Sequence, residues 1–189
     1  EELYQCFRML RSHGLVREAS SEKFRNKYLK EHPDLNPQFI FAFPAYNVRN
    51  TEIGGILGRS QLKKLDENNL KRNKNNLQFL SNINPEKFRT DFRLEGSSNY
   101  AFNLITNKPN FDFTNRLMKK LIENNIEFRR GSAGGGNQLR QPYLKKIFGN
   151  IYKNFPNVDH IHFHGFYIGN FPSLENEKIE KLCKIINSV

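Results

Sequence analysis

Tryptophan is absent, cysteine and methionine occur twice each, and 19 acidic residues stand against 30 lysines and arginines in a chain of 189. Each shortage excludes something. Cys6 and Cys183 lie far apart with no C-x-x-C pair, so neither a disulfide framework nor a structural zinc site is supported. Both fall on apolar faces of expected helices and read as buried, reduced thiols. No window approaches the roughly 18 consecutive apolar residues of a membrane-spanning helix. The opening Glu1-Glu2-Leu3-Tyr4 lacks the basic and apolar regions of a secretory leader, so a cytoplasmic location is expected. Leu3, Phe7 and Leu10 already follow helical spacing, and the chain is therefore expected to begin inside a larger structure.

Common catalytic signatures are also missing. There is no G-x-S-x-G elbow, no H-E-x-x-H helix and no cysteine beside a histidine. Glu52 and Asp66 sit where helix charge is ordinary, and Asp159 beside His160 is too local to form a carboxylate dyad.

What remains is a basic chain with enough apolar content, 37%, for a modest core. Its net charge of +11 attracts polyanions, nucleotide phosphates or acidic partners. Together with the Lys/Asn-rich stretch Lys63–Lys74, this keeps a nucleic-acid-binding domain open as an alternative function, although no binding motif supports it.

Along the chain, periodicity predicts a helix over 1–13 ending near Gly14, and a charged helix from Glu22 to Lys30 before the Pro33 and Pro37 breaks. Phe39–Phe43 is an apolar run stopped by Pro44. Thr51 is placed to cap a long helix whose stripe is Ile53, Ile56, Leu57, Leu62 and Leu65, continuing as a polar helix to Leu80. Gly54-Gly55 within it implies close approach of another backbone or a ligand. A domain boundary is expected around 81–85, giving domains 1–80 and 81–189. Strands are expected over Phe88–Leu94 and Asn99–Thr106, with Ser97-Ser98 as the turn. A helix capped by Asp112 or Thr114 with Leu117, Leu121 and Ile122 follows, then a strand from Ile126 to Arg129. Gln141–Phe148 reads as a short helix, Phe166–Ile168 as a strand, and Leu174–Asn187 as a closing helix with Ile179, Leu182, Cys183 and Ile186 inward.

Two segments invite chemistry. The loop Gly131–Gly136, beside Arg129, Arg130 and Arg140, has the free N–H groups and charge that suit an anion, but it is not a phosphate-binding P-loop. His160-x-His162-x-His164 would place three rings on one face of a strand, as a metal needs. On a helix alternate residues are about 200° apart, and the segment after Asn157 also reads as a helix with Val158 and Ile161 inward. No metal is expected.

Several stretches, taken in order, resemble one family. Met9-Leu10-Arg11-Ser12-His13-Gly14 and Tyr46-Asn47-Val48-Arg49-Asn50-Thr51-Glu52-Ile53 are similar to two elements of DegT-type sugar aminotransferases and dehydrases, and Gln61–Asp66 extends the likeness. Gly135-Gly136-Asn137-Gln138-Leu139-Arg140-Gln141-Pro142 and Gly165-Phe166-Tyr167-Ile168-Gly169-Asn170 resemble segments of the 3-dehydrase branch. The likeness covers almost the whole chain but only the C-terminal half of such an enzyme. It implies the α/β fold of fold-type-I pyridoxal phosphate enzymes, with 1–80 closing the large domain and 81–189 forming the small one.

That resemblance also implies a pyridoxal or pyridoxamine phosphate cofactor, a nucleotide-diphosphate sugar substrate and a homodimer with shared sites, serving lipopolysaccharide or other surface-glycan synthesis. Asn47 would reach the cofactor phosphate of a neighbouring subunit. Tyr46, Arg49, Arg129, Arg130 and Arg140 are the candidates for substrate and its phosphates, with Asn137, His164 and Asn170 at the sugar. The catalytic lysine of an aminotransferase, or histidine of a 3-dehydrase, would precede Glu1, so no catalytic residue is assigned within 1–189. One branch holds an iron–sulfur cluster through cysteines after the His-Gly element, but residues 14–50 contain no cysteine and none is expected.

Overall fold

The computed structural model describes residues 1–48 and 52–189. Chain contacts divide it into two units, Glu1–Thr51 with Gly131–Phe163, and Glu52–Arg130 with His164–Val189. The division expected at 81–85 does not coincide with this one, because the helix ending at Asn82 buries Phe79 among the side chains of the later sheet and helices.

In the first unit, α1 (Glu2–Leu10) stops earlier than its periodicity predicts. His13 and Gly14 both adopt left-handed φ, 60° and 75°, and reverse the chain there. The helix α2 (Glu22–Glu31) is capped by Ser21, whose hydroxyl accepts from the Phe24 N–H. The apolar run 39–43 forms no continuous strand and makes one bridge, between Leu15 and Phe41. Ile40 packs with Met9, Val16, Ala19 and Leu35 to form this unit's core. Cys6, expected to be buried, is only partly so.

The long helix expected after Thr51 is two helices, α3 (Glu52–Leu62) and α4 (Leu65–Asn82), broken at Lys63-Lys64. Thr51 itself lies outside the described residues. The close approach expected at Gly54-Gly55 is not made within the chain at Gly55, where an added Cβ would meet nothing within 4 Å. Ile53, Ile56, Leu57 and Leu62 are all exposed.

The second unit is built on an antiparallel sheet ordered β1-β3-β2, from β1 (Ala101–Ile105), β3 (Gly165–Gly169) and β2 (Arg129–Arg130). Phe102, Leu104, Phe166 and Ile168 point to one side, the two-residue alternation that lets a sheet bury one face. That side is covered by α4, α5 (Phe111–Glu123) and α8 (Asn176–Asn187), with the Phe79 and Phe102 rings stacked 4.5 Å apart. The inward residues of α8 are those its spacing picks out: Ile179, Leu182, Cys183 and Ile186.

Four expectations fail here. Phe88–Leu94 is no strand; beyond the single bridge Phe88–Thr106 it carries alternating charges, including an Arg89–Asp91 ion pair at 2.8 Å, which a buried edge would leave unsolvated. The turn falls at Gly96, φ 72°, not at Ser97-Ser98. The helix α5 is capped by Asn110, whose side chain accepts from the Phe113 N–H, while Thr114 is buried. Ile122, grouped with its inward residues, is exposed.

The glycine-rich segment continues into α6 (Pro142–Phe148), with Pro142 in the first turn where its missing N–H costs nothing. The helix α7 (Pro156–His164) confirms a helical reading after Asn157. Its inward side differs from the expected one: Val158 and Ile161 are about two-fifths exposed, whereas His162 and His164 are buried. Among the described residues, no helix is long and apolar enough to cross a membrane.

Candidate functional site

The two sequence elements nearest the N-terminus come together in the first unit. The His13 N–H donates to the Tyr46 carbonyl at 2.8 Å and the Val48 N–H to the Arg11 carbonyl at 3.4 Å, making an antiparallel bridge between Ser12 and Asn47, and the Tyr46 N–H donates to the Leu10 carbonyl at 3.1 Å. Gly14 is required for this approach. Its φ is 75°, and a Cβ would stand 2.1 Å from the Phe43 carbonyl oxygen. The loop backbone is therefore anchored while Tyr46, 71% accessible, and Asn47 turn outward. A carboxamide N–H and a phenol O–H on a tethered loop are suitable donors to phosphate oxygens. Arg49, expected beside them, lies outside the described residues.

The glycine-rich loop closes on α7. Asn137 is buried; its backbone N–H donates to His162 Nδ1 at 3.0 Å, and its side-chain amide donates to Asp159 at 2.7 Å. Arg140 donates to both Asp159 oxygens at 2.7 Å and to Asp34 at 3.0 Å, with its guanidinium 4.1 Å from the centre of the Tyr152 ring. Hydrogen bonding to Arg140 holds the Asp159 carboxyl below its usual range, and the same bonds raise Arg140. The buried Gln141 mimics a strand: its amide accepts from the Phe41 N–H at 2.9 Å and donates to the Phe39 carbonyl at 3.0 Å. Asn137, Arg140 and Gln141 thus tie their segment to 34–41 and to α7.

The remaining candidates belong to the second unit. Arg129 is exposed on β2 opposite Tyr167, and Tyr167 meets Tyr100 edge-on at 6.1 Å. Arg130 points to the other face of the sheet, where burial pushes its guanidinium down. His164 is buried, its Nδ1 2.8 Å from the Thr114 hydroxyl and its ring against Phe111. Asn170 is buried too; its amide donates to the Arg72 and Asn99 carbonyls, both at 2.9 Å, and accepts from Asn75 at 3.1 Å. His162 and His164 thus serve different units, and among the described residues no group of three His, Cys, Asp or Glu could hold a metal.

Sequence reasoning missed Asp34, Asp159, Gln141, Thr114 and Asn75. Asp34 and Asp159 lie far apart in the chain, and only the fold aims both at Arg140. Gln141 carried a weak signal: it precedes a helix-starting proline and cannot be a good cap, which leaves its amide for another purpose.

The model of the DegT/DnrJ/EryC1/StrS aminotransferase family matches residues 1–187. The chain is 27% identical over 188 residues to a GDP-4-keto-6-deoxy-D-mannose 3-dehydratase of Escherichia coli O55:H7, covering 98% of this chain and 48% of that protein. It is 30% identical over 191 residues to the enzyme of the same description from Yersinia pseudotuberculosis, covering 98% and 47%. Among solved structures, the E. coli dehydratase with bound hydrated pyridoxal phosphate shares the fold at a TM-score of 0.58 and 24% identity, over 98% of this chain and 48% of that one. An aminotransferase from Psychrobacter cryohalolentis does so at 0.55 and 20%, over 99% and 48%. The chain spans about half the length of the curated relatives it matches.

Proposed function

Because this chain belongs to the DegT/DnrJ/EryC1/StrS aminotransferase family, we propose that it supplies the C-terminal half of a pyridoxal phosphate-dependent enzyme that removes the 3-hydroxyl of a GDP-linked 4-keto-6-deoxy sugar. Two curated relatives carry that description, and a solved dehydratase has GDP-perosamine bound. The product would enter lipopolysaccharide or another surface glycan, made in the cytoplasm.

The observation that carries this reading is the Ser12–Asn47 bridge, which fixes the loop backbone and leaves the Asn47 amide outward. Asn47 donates to the phosphate of the cofactor, pyridoxal or pyridoxamine phosphate, held by a second copy. The exposed Ile53, Ile56 and Leu57 directly after this loop support a homodimer, since association would remove them from water. Once bound, the cofactor supplies an electron sink for a carbanion. Tyr46 and Arg49 orient the sugar, and Arg129 and Arg130 draw in the diphosphate. Asn137, Arg140, His164 and Asn170 act on substrate through the backbone they hold, because their polar atoms bond within the chain.

The test is cofactor retention in the holoenzyme. Asn47→Ala weakens pyridoxal phosphate binding about 10- to 100-fold, the effect of one hydrogen bond to a charged group, measured by absorbance after dialysis. Unchanged retention would sink the assignment. Product analysis with the GDP-linked keto sugar and glutamate separates loss of the 3-hydroxyl from amination.

A further inference from the structure

We propose that His162 is the positioning residue of the glycine-rich loop, holding Gly136 and Asn137 as a neutral imidazole and releasing them when Nδ1 is protonated. The ring is 1% exposed and occupies the space a side chain at position 136 would need. A Cβ there would stand 2.1 Å from Nδ1, and Gly136 has φ 54°. Nδ1 accepts the Asn137 N–H at 3.0 Å, so the neutral ring carries its proton on Nε2. The Asp34 backbone also acts on the ring, in the sense that favours its proton. An imidazolium has no lone pair, and its Nδ1–H would face the Asn137 N–H.

The charged groups around the ring are Asp159 on its own helix, Arg140 on the segment after the loop, and Asp34 on the segment after α2. Asp159 and Asp34 favour the charged ring and Arg140 opposes it, but the two carboxylates already bond Arg140. Burial is the largest influence and favours the neutral form. The loop is thus latched at neutral pH and opens on acidification. This applies to the chain whatever it binds; only its relevance to substrate rests on the function proposed above.

The test is amide exchange and ring 15N NMR on the full chain. At neutral pH the ring shifts report the Nε2–H tautomer. As pH falls from the ring's ordinary 6.5 toward its lower value in the closed loop, the protection of the Asn137 amide, corrected for intrinsic exchange, falls by at most about tenfold per pH unit. In His162→Asn, whose carbonyl accepts but does not titrate, protection is independent of pH. In His162→Phe the loop is unprotected throughout. Should the phenylalanine variant not fold, the wild type and the asparagine variant decide alone. An Nδ1–H tautomer, or protection unchanged as the ring protonates, overturns the proposal. In the holoenzyme, KM for the nucleotide sugar rises with acidification in the wild type but not in His162→Asn. A flat KM with a loosened loop upholds the latch and removes the loop from the substrate site.

Discussion

Arg140 and Asp159 face each other through two parallel hydrogen bonds of 2.7 Å, one from Nε and one from Nη2. The pair is largely enclosed, with side chains 13% and 22% exposed, and the Asp159 oxygen nearer Nε also accepts from Asn137. A fork of this kind fixes direction as well as distance. It gives the segment 137–141 one orientation on α7.

Asp159→Asn removes the charge and leaves Arg140 with only Asp34. The expected loss is about 2–3 kcal/mol, between an exposed pair at about 0–1 and a fully buried one at about 3–5. Asp34→Asn, at a carboxylate one-third exposed, costs about 1 kcal/mol or less. Urea midpoints with unchanged m-values check both.

Acid lowers stability in two stages. The His162 pKa lies below its ordinary 6.5, so the unfolded chain takes up the proton first, and stability is lost as pH falls from about 6.5 through the folded value. Asp159 lies below its ordinary 3.8 and contributes fully above that; its share is lost on further acidification. Thermal midpoints across this range show both limbs, and His162→Asn flattens the upper one alone.

Glycine substitutions separate required from incidental glycines. Gly14→Ala forces a Cβ against the Phe43 carbonyl at positive φ and costs more than about 2 kcal/mol. Gly55→Ala, with open space around it, stabilises α3 by up to about 1 kcal/mol. Thermal denaturation measures both; loss of stability at Gly55 would show that another surface packs there.

Burial pushes the Cys183 thiol up to about 12, leaving almost no thiolate at neutral pH. Cys6 is partly accessible. Iodoacetamide therefore labels Cys6 first, and Cys183 reacts only after denaturant is added, as mass spectrometry of timed samples reads directly.

Asn170→Ala removes an amide that holds two carbonyls and the Asn75 side chain in a buried position. The expected cost is about 2–3 kcal/mol, from buried polar groups left without partners. Equal denaturation midpoints for variant and wild type would show that solvent replaces it.

Local pattern carried α8, whose inward residues follow from spacing alone, and β3, a short apolar run. It misled wherever burial is decided by distant partners. Val158 and Ile161 outrank histidine in hydrophobicity, yet α7 buries His162 and His164, because each ring finds partners inside: the Asn137 N–H for one, Thr114 for the other. Phe88–Leu94 alternates like a strand, but the sheet offers it only one bridge.

The candidate site divides in the same way. Motif order brought 11–14, 46–47 and 135–142 to attention, and Gly14 sits where the close approach of the Phe43 carbonyl requires a glycine. Sequence alone determined the helical stripes, the family resemblance and the scarcity of reactive groups, because these depend on residue type and near neighbours. Tertiary structure alone decided that Arg140 belongs to Asp159 and Asp34, and Gln141 to residues 39 and 41. Those pairings join residues up to a hundred or more positions apart, and a long side chain's partner is set by where the backbone delivers it.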